Sequence, residues 1–155
     1  MVYKVKIFTV CFFGHREMHN VNKIEARLKP VLKQILKENE FVDFLVGRNG
    51  AFDIFVASLI KSVQRETGLR NSELTLVLPY PVAQLNDYEN YYDHVLIPEY
   101  VGKVHPKRAY TVKNRWMVDR SDLIIVNVEH RSGGAYAAFC YANTVMKPII
   151  NLAKP

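Results

Sequence analysis

Apolar residues along the chain fall into two alternating patterns, short continuous runs and longer stretches at helical spacing. Val5 to Phe13 is a β-branched and aromatic run closed by Gly14. It is too short for a typical helix and too apolar for a half-exposed strand, so it predicts a central strand buried on both faces. Beyond the loop, Ile24, Leu28, Val31, Leu32, Ile35 and Leu36 recur at helical spacing to about Lys37. Asn22 with Glu25 offers a capping box at the start. Pro30 removes a backbone donor inside that pattern and predicts a kink or a late helix start.

The alternation then repeats. Val42 to Val46 is strand-like, Gly47 to Gly50 is a turn, and Phe52, Val56, Leu59, Ile60 and Val63 mark a helix ending near Gly68. Leu74 to Leu78 is a third strand, stopped by Pro79-Tyr80-Pro81. The chain then becomes irregular up to His105. That stretch carries Asp87, Glu89, Asp93 and Glu99 beside Tyr88, Tyr91, Tyr92 and Tyr100, with a short strand expected at Val95 to Ile97. Pro106 is placed to open a helix to about Arg120. Leu123 to Val128 is another buried strand, Ala135 to Met146 a helix, and Pro148 to Leu152 a final strand. Repeated strand and helix units predict an α/β fold: a mainly parallel central sheet with helices on both faces, in three layers. Val5 to Phe13 and Leu123 to Val128 are expected at its centre.

Composition narrows the class. The 155 residues are 49% hydrophobic and 23% charged with seven Gly and seven Pro, which excludes disordered, collagenous and coiled-coil chains and suits one domain over 1–155. The net charge of +6 suits an anionic ligand but falls short of a dedicated nucleic-acid tail. Cys11 and Cys140 form no CxxC pair, so neither a disulfide framework nor a zinc site is expected. Lys4 and Lys6 before the apolar run imitate a signal peptide, yet no small-residue cleavage site follows. With no run of about twenty apolar residues, the expectation is a cytoplasmic protein that does not enter a membrane.

Three strand-to-helix loops can carry chemistry, because in such sheets ligands bind beyond the carboxyl ends of the strands. They are Gly14-His15-Arg16-Glu17, Gly47 to Asp53, and Arg131-Ser132-Gly133-Gly134. Helix N-termini there favour an anion. The third is the best phosphate cradle, since two glycines let backbone approach closely. The sharp motifs are absent: neither GxxxxGK[ST] nor GxGxxG occurs, His15 and His19 do not form HExxH, and there is no GxSxG elbow. No metal or cofactor is expected. Arg115 and Asp119 stand four apart on one helix face, suited either to an exposed ion pair or to ligand contact. Trp116 suits the core better than stacking on a base.

In this order the loops resemble the SLOG superfamily, and within it the YpsA-like branch of small bacterial and phage proteins. The resemblance spans nearly the whole chain. It rests on Val10-Cys11-Phe12-Phe13-Gly14-His15-Arg16, Gly50-Ala51-Phe52-Asp53, Pro79 with Gln84, Asn114-Arg115 with Met117-Val118-Asp119, Ser121-Asp122 and Gly133-Gly134-Ala135. It implies a Rossmann-like fold, a pocket for a nucleotide or nucleotide-derived ligand, and self-association. The wider superfamily includes the cytokinin-activating phosphoribohydrolases and the DNA-processing protein DprA.

The hydrolases resemble PGGxGTxxE, with a catalytic glutamate on the helix. Here Ser132 replaces the proline, Ala135 stands where threonine is usual, and no acidic residue occurs from Ser132 to Pro155. Asp53, Asp119 and Glu129 are the remaining carboxylate candidates. The expected ligand contacts are Gly14, His15, Arg16, Gly50, Phe52, Asp53, Arg115, Asp119, Ser132, Gly133 and Gly134, with Arg16 on phosphate and Asp53 on a ribose hydroxyl. The leading expectation is a nucleotide-binding module that senses or sequesters its ligand. A nucleotide N-glycosidase is the alternative. Single-stranded DNA binding is the third, because Lys103 to Arg131 holds seven Lys or Arg against three acids.

Overall fold

The computed structural model describes residues 4–99 and 103–154. Tyr100 of the acidic tyrosine stretch lies outside them. Six strands, β1 (Ile7–Gly14), β2 (Phe41–Val46), β3 (Ser72–Val77), β4 (His94–Leu96), β5 (Leu123–Asn127) and β6 (Ile149–Asn151), form one sheet in the order β4-β3-β2-β1-β5-β6. Every pairing is parallel. Among the described residues five α-helices alternate with them: α1 (Val21–Glu38), α2 (Ala51–Thr67), α3 (Leu85–Tyr91), α4 (Pro106–Arg120) and α5 (Gly133–Thr144).

The expected α/β architecture is therefore present, with β1 at its centre beside β2, while β5, expected at the centre, is an interior strand between β1 and the β6 edge. Val10 to Phe13 are buried on both faces, as a strand between two helix layers requires. Val10 and Phe12 face α1 and α2, while Cys11 and Phe13 face Trp116 and Met117 of α4 and Ala138 and Ala142 of α5. Trp116 is a core residue, as expected. The short strands β4 and β6 take the sheet edges, where length would invite pairing with other chains.

Strand order also locates the crevice. The chain steps outward from β1 to β4, then returns to the other side of β1 to lay down β5. The loops after β1 and β5 consequently diverge to opposite faces, leaving an opening between Gly14 and its register partner Asn127.

Local departures from the sequence reading have physical causes. Val5 and Ile7 are 52% and 56% exposed, so the buried run is shorter than its apolar pattern and the strand starts at Ile7. The capping box at Asn22 does not form. α1 begins at Val21 behind Asn20, whose left-handed backbone turns its own carbonyl onto Lys23 N–H and Ile24 N–H. Pro30 stays inside that helix and delays nothing. It stands on the solvent side, and burial of Ile24, Leu28, Leu32, Ile35 and Leu36, at about 1.5–3 kcal/mol each, outweighs its cost of about 3 kcal/mol. The stretch read as irregular contains α3, a short helix whose apolar anchors are the rings of Tyr88 and Tyr92.

Candidate functional site

The three loops are not equivalent. The β1–α1 loop runs from Gly14 to Asn20 before α1 starts, so Gly14-His15-Arg16 is not a helix N-terminus at all. The N-terminus of α2 is already satisfied from within the protein. Arg16 C=O accepts from Ala51 N–H at 2.9 Å, and Asp53 Oδ2 accepts from Asn49 N–H at 2.9 Å. At α5, as at α1 and α2, the N-cap side chain makes no capping bond, but here no other described segment occupies the helix end, and a Cβ on Gly133 or Gly134 would meet nothing within 4 Å. Gly133 has φ +88°, which disfavours any side chain there. Of the three expected loops, the one before α5 is the most open helix end among the described residues.

Gly50 and Phe52 shape this region from behind. A Cβ on Gly50 would lie 2.5 Å from Arg16 Cα, so glycine is what lets the β1–α1 loop dock onto α2. A Cβ on Gly14 would strike the Phe52 ring at 2.2 Å. Phe52 is fully buried and packs beneath the loop. Neither Gly50 nor Phe52 lines the cavity itself.

A cavity of about 560 Å³ opens between these loops at the switch point. Gly14, His15, Arg16, Glu129, Ser132, Gly133 and Gly134 line it, as does Asp53. The structure thus brings together eight of the twelve candidates. Arg115 and Asp119 are elsewhere. They do not pair with each other; both turn to Tyr141 of α5, whose hydroxyl donates to Asp119 Oδ1 at 2.6 Å while the Arg115 guanidinium lies 4.8 Å from its ring centroid.

The floor of the cavity holds a residue the sequence reading passed over. Lys113 is only 3% exposed, yet it has no hydrogen-bond or ion-pair partner among the described residues. Asp53, 8% exposed, meets it at Gly47: a Cβ on Gly47 would lie 2.8 Å from Lys113 Nζ and 3.2 Å from Asp53 Oδ2. The two charges do not close into a direct ion pair. Burial pushes the Asp53 carboxyl up from its ordinary value, against the Asn49 N–H and Lys113, which pull it down. Burial likewise pushes the Lys113 ammonium down, opposed by Asp53. Asn114 Oδ1, on the same wall, is a buried acceptor without a partner. The signal for Lys113 was present in the sequence. Ala109, Lys113, Trp116 and Met117 share one helical stripe, and a lysine on a core-facing stripe requires an explanation.

At the rim, His15 and His130 stack with ring centroids 3.6 Å apart and planes 9° from parallel. His15 Nε2 accepts from Glu129 N–H at 3.1 Å, tying the β1–α1 loop to the end of β5. That bond requires the neutral ring. Desolvation, then the neighbouring His130, holds the His15 pKa below its ordinary 6.5, with Glu129 opposing. Tyr110 also lines the cavity, and its hydroxyl is 3.3 Å from that of Tyr80.

Among the described residues no group of three or more His, Cys, Asp or Glu could hold a metal ion. Cys11 is buried and Cys140 half-buried, both as free thiols. Burial pushes the Cys11 thiol up to about 12, which leaves it an unreactive core residue. No described helix is long and apolar enough to cross a membrane.

Neither the family models nor the curated proteins contain a match to this sequence. Solved structures do resemble the fold. The DNA processing protein A of Helicobacter pylori, described for a single-stranded DNA binding mode, superposes with a TM-score of 0.61 at 14% identity, over 92% of this chain and 63% of that one. DprA of Streptococcus pneumoniae gives 0.62 at 16% identity, over 92% of this chain and 49% of its own. The chain therefore spans between about half and two thirds of these proteins, and the likeness is one of fold.

Proposed function

We propose that the switch-point cleft binds a phosphorylated nucleotide or nucleotide-derived ligand, and that the protein is a binding module of the cytoplasm. The observation that carries this reading is Lys113, a buried cation with no hydrogen bond or ion pair among the described residues, in a cavity that the open N-terminus of α5 also lines. A buried unpaired charge is costly, so its retention points to a partner that arrives from outside. The phosphate sits at Ser132-Gly133-Gly134, where free N–H groups and the helix dipole favour negative charge, and Arg16 closes over it. In this reading Lys113 and Asp53, which both line the cavity, take a ribose hydroxyl, itself both donor and acceptor.

Gly14-His15-Arg16 and Gly133-Gly134-Ala135 support kinship with the YpsA-like branch, in which the protein self-associates. Asp53 and Glu129 both line the cavity, so glycosidic hydrolysis remains the rival chemistry at this site. The deciding experiment incubates the protein with nucleoside monophosphates and nicotinamide dinucleotides and reads thermal shift together with free-base release. Stabilisation without release supports the binding module. Release abolished by Asp53→Asn or Glu129→Gln supports the hydrolase, and no response to any nucleotide removes both.

A second reading is favoured by the two DNA-processing neighbours. Six of the seven cations between Lys103 and Arg131 are exposed, Lys113 being the exception. One of them, Arg115, lies over the ring of the half-buried Tyr141. Exposed cations beside an aromatic ring suit a single strand, whose backbone takes the charge and whose bases take the ring. Anisotropy titration of a labelled single-stranded oligonucleotide at two salt concentrations tests it: salt-sensitive binding weakened by Arg120→Ala supports the reading, and no binding at low salt removes it.

A further inference from the structure

The nucleotide reading leaves the Tyr110 ring, which lines the cavity, without a role. Tyr110 stands one helical turn before Lys113, so both side chains reach the same opening. Its ring is held by Tyr80 in an edge-to-face contact, with centroids 5.9 Å apart and planes at 84°. Tyr80 follows β3 between Pro79 and Pro81, whose locked φ angles restrict the backbone that presents it. Lys113 Nζ lies over the Tyr110 ring, 5.6 Å from its centroid, so the ring borders the polar floor.

We infer that Tyr110, braced by Tyr80, is the surface on which the heteroaromatic base of the ligand stacks, and that it selects nucleotides over bare sugar phosphates. The placement follows from what shares the cavity. Gly133 and Gly134, Lys113 and Asp53, and the ring of Tyr110 all line it, so phosphate donors, hydroxyl partners and an aromatic plane are offered to a single ligand. A ring held edge-to-face on one neighbour cannot swing away freely, so little conformational entropy is lost when a base settles on it. The Tyr80 hydroxyl and partial burial raise the Tyr110 phenol to about 12, so the wall stays neutral beside a phosphorylated ligand.

This inference rests on the nucleotide reading, and its test separates the two. Isothermal titration compares AMP, GMP, CMP and UMP with ribose 5-phosphate on the wild type, Tyr110→Leu and Tyr110→Phe. The wild type is expected to bind at least one nucleotide roughly 10-fold or more tighter than ribose 5-phosphate. Tyr110→Leu, which keeps apolar bulk, abolishes that preference and leaves ribose 5-phosphate affinity unchanged, while Tyr110→Phe retains the preference. A Tyr110→Leu protein that keeps the full preference overturns the inference, as does one that loses both ligands equally. Wild-type protein that binds ribose 5-phosphate as tightly as every nucleotide overturns it and leaves the phosphate site standing. Wild-type protein that binds neither class overturns the nucleotide reading and this inference together.

Discussion

Lys113 Nζ and Asp53 Oδ2 both lie against Gly47, where an added Cβ would stand 2.8 Å from one and 3.2 Å from the other, yet they do not close into an ion pair. Glycine at 47 is what leaves room for the two buried groups. Each is shifted toward its neutral form by burial and held back by the other. The proposed ligand would meet both from the cavity they line.

Stability follows from that coupling. Asp53 has a folded pKa above its unfolded 3.8, so its favourable contribution is present below 3.8 and is lost as pH rises through the folded value. Lys113→Met removes the opposing cation and raises that folded value further. The Tm deficit of Lys113→Met against wild type is therefore expected to widen between about pH 5 and about pH 8. Adding Asp53→Asn should recover most of it, because a neutral buried pair needs no compensation. Calorimetry at the two pH values checks both statements; a deficit independent of pH would show that Asp53 is not the group concerned.

Gly133 and Gly134 look alike in the sequence but differ in backbone. Only Gly133 has a positive φ, and space is open beside both. Gly133→Ala is expected to cost about 1–2 kcal/mol, a Tm loss of roughly 2–8 °C, while Gly134→Ala leaves stability nearly unchanged. Thermal denaturation of the two variants decides it.

The Arg16 backbone holds α2, whereas its exposed side chain only lines the cavity. Arg16→Ala should leave Tm within the effect of an ordinary surface change, about ±0.5 kcal/mol, and weaken phosphate-ligand affinity roughly 10-fold or more. Unchanged affinity takes Arg16 out of the site.

His15 accepts the Glu129 N–H as a neutral ring, and its folded pKa is depressed below 6.5. Its contribution is present above 6.5 and is lost as pH falls through the folded value. An NMR titration should place its midpoint below 6.5, and His130→Ala should raise it. A midpoint at or above 6.5 in the wild type contradicts the stacked, hydrogen-bonded geometry.

Strand and helix order was legible because buried parallel strands are written as runs such as Val10 to Phe13 and the helices as periodic stripes. The interior places of β1 and β5, and the crevice between their loops, follow from the same pattern. What the pattern did not carry was backbone bookkeeping at the loops. Gly47 to Asp53 has the residue types of an anion loop, but Arg16 C=O already occupies the helix end, a contact between segments 35 residues apart. Arg115 and Asp119 were spaced for an ion pair, and Tyr141 from another helix draws both away. Lys113 belongs to no loop motif, because this cation reaches the cavity from the buried stripe of a helix.

The most direct measurement is a calorimetric titration of wild type and Lys113→Met with the nucleoside monophosphate that gives the largest thermal shift, at matched pH and salt. Saturable wild-type binding that falls at least roughly 10-fold in the folded variant is the expected result, since a charge-assisted contact of 1.5–3 kcal/mol is lost. Equal affinity of the two proteins would contradict the assignment of the cleft floor as the ligand site.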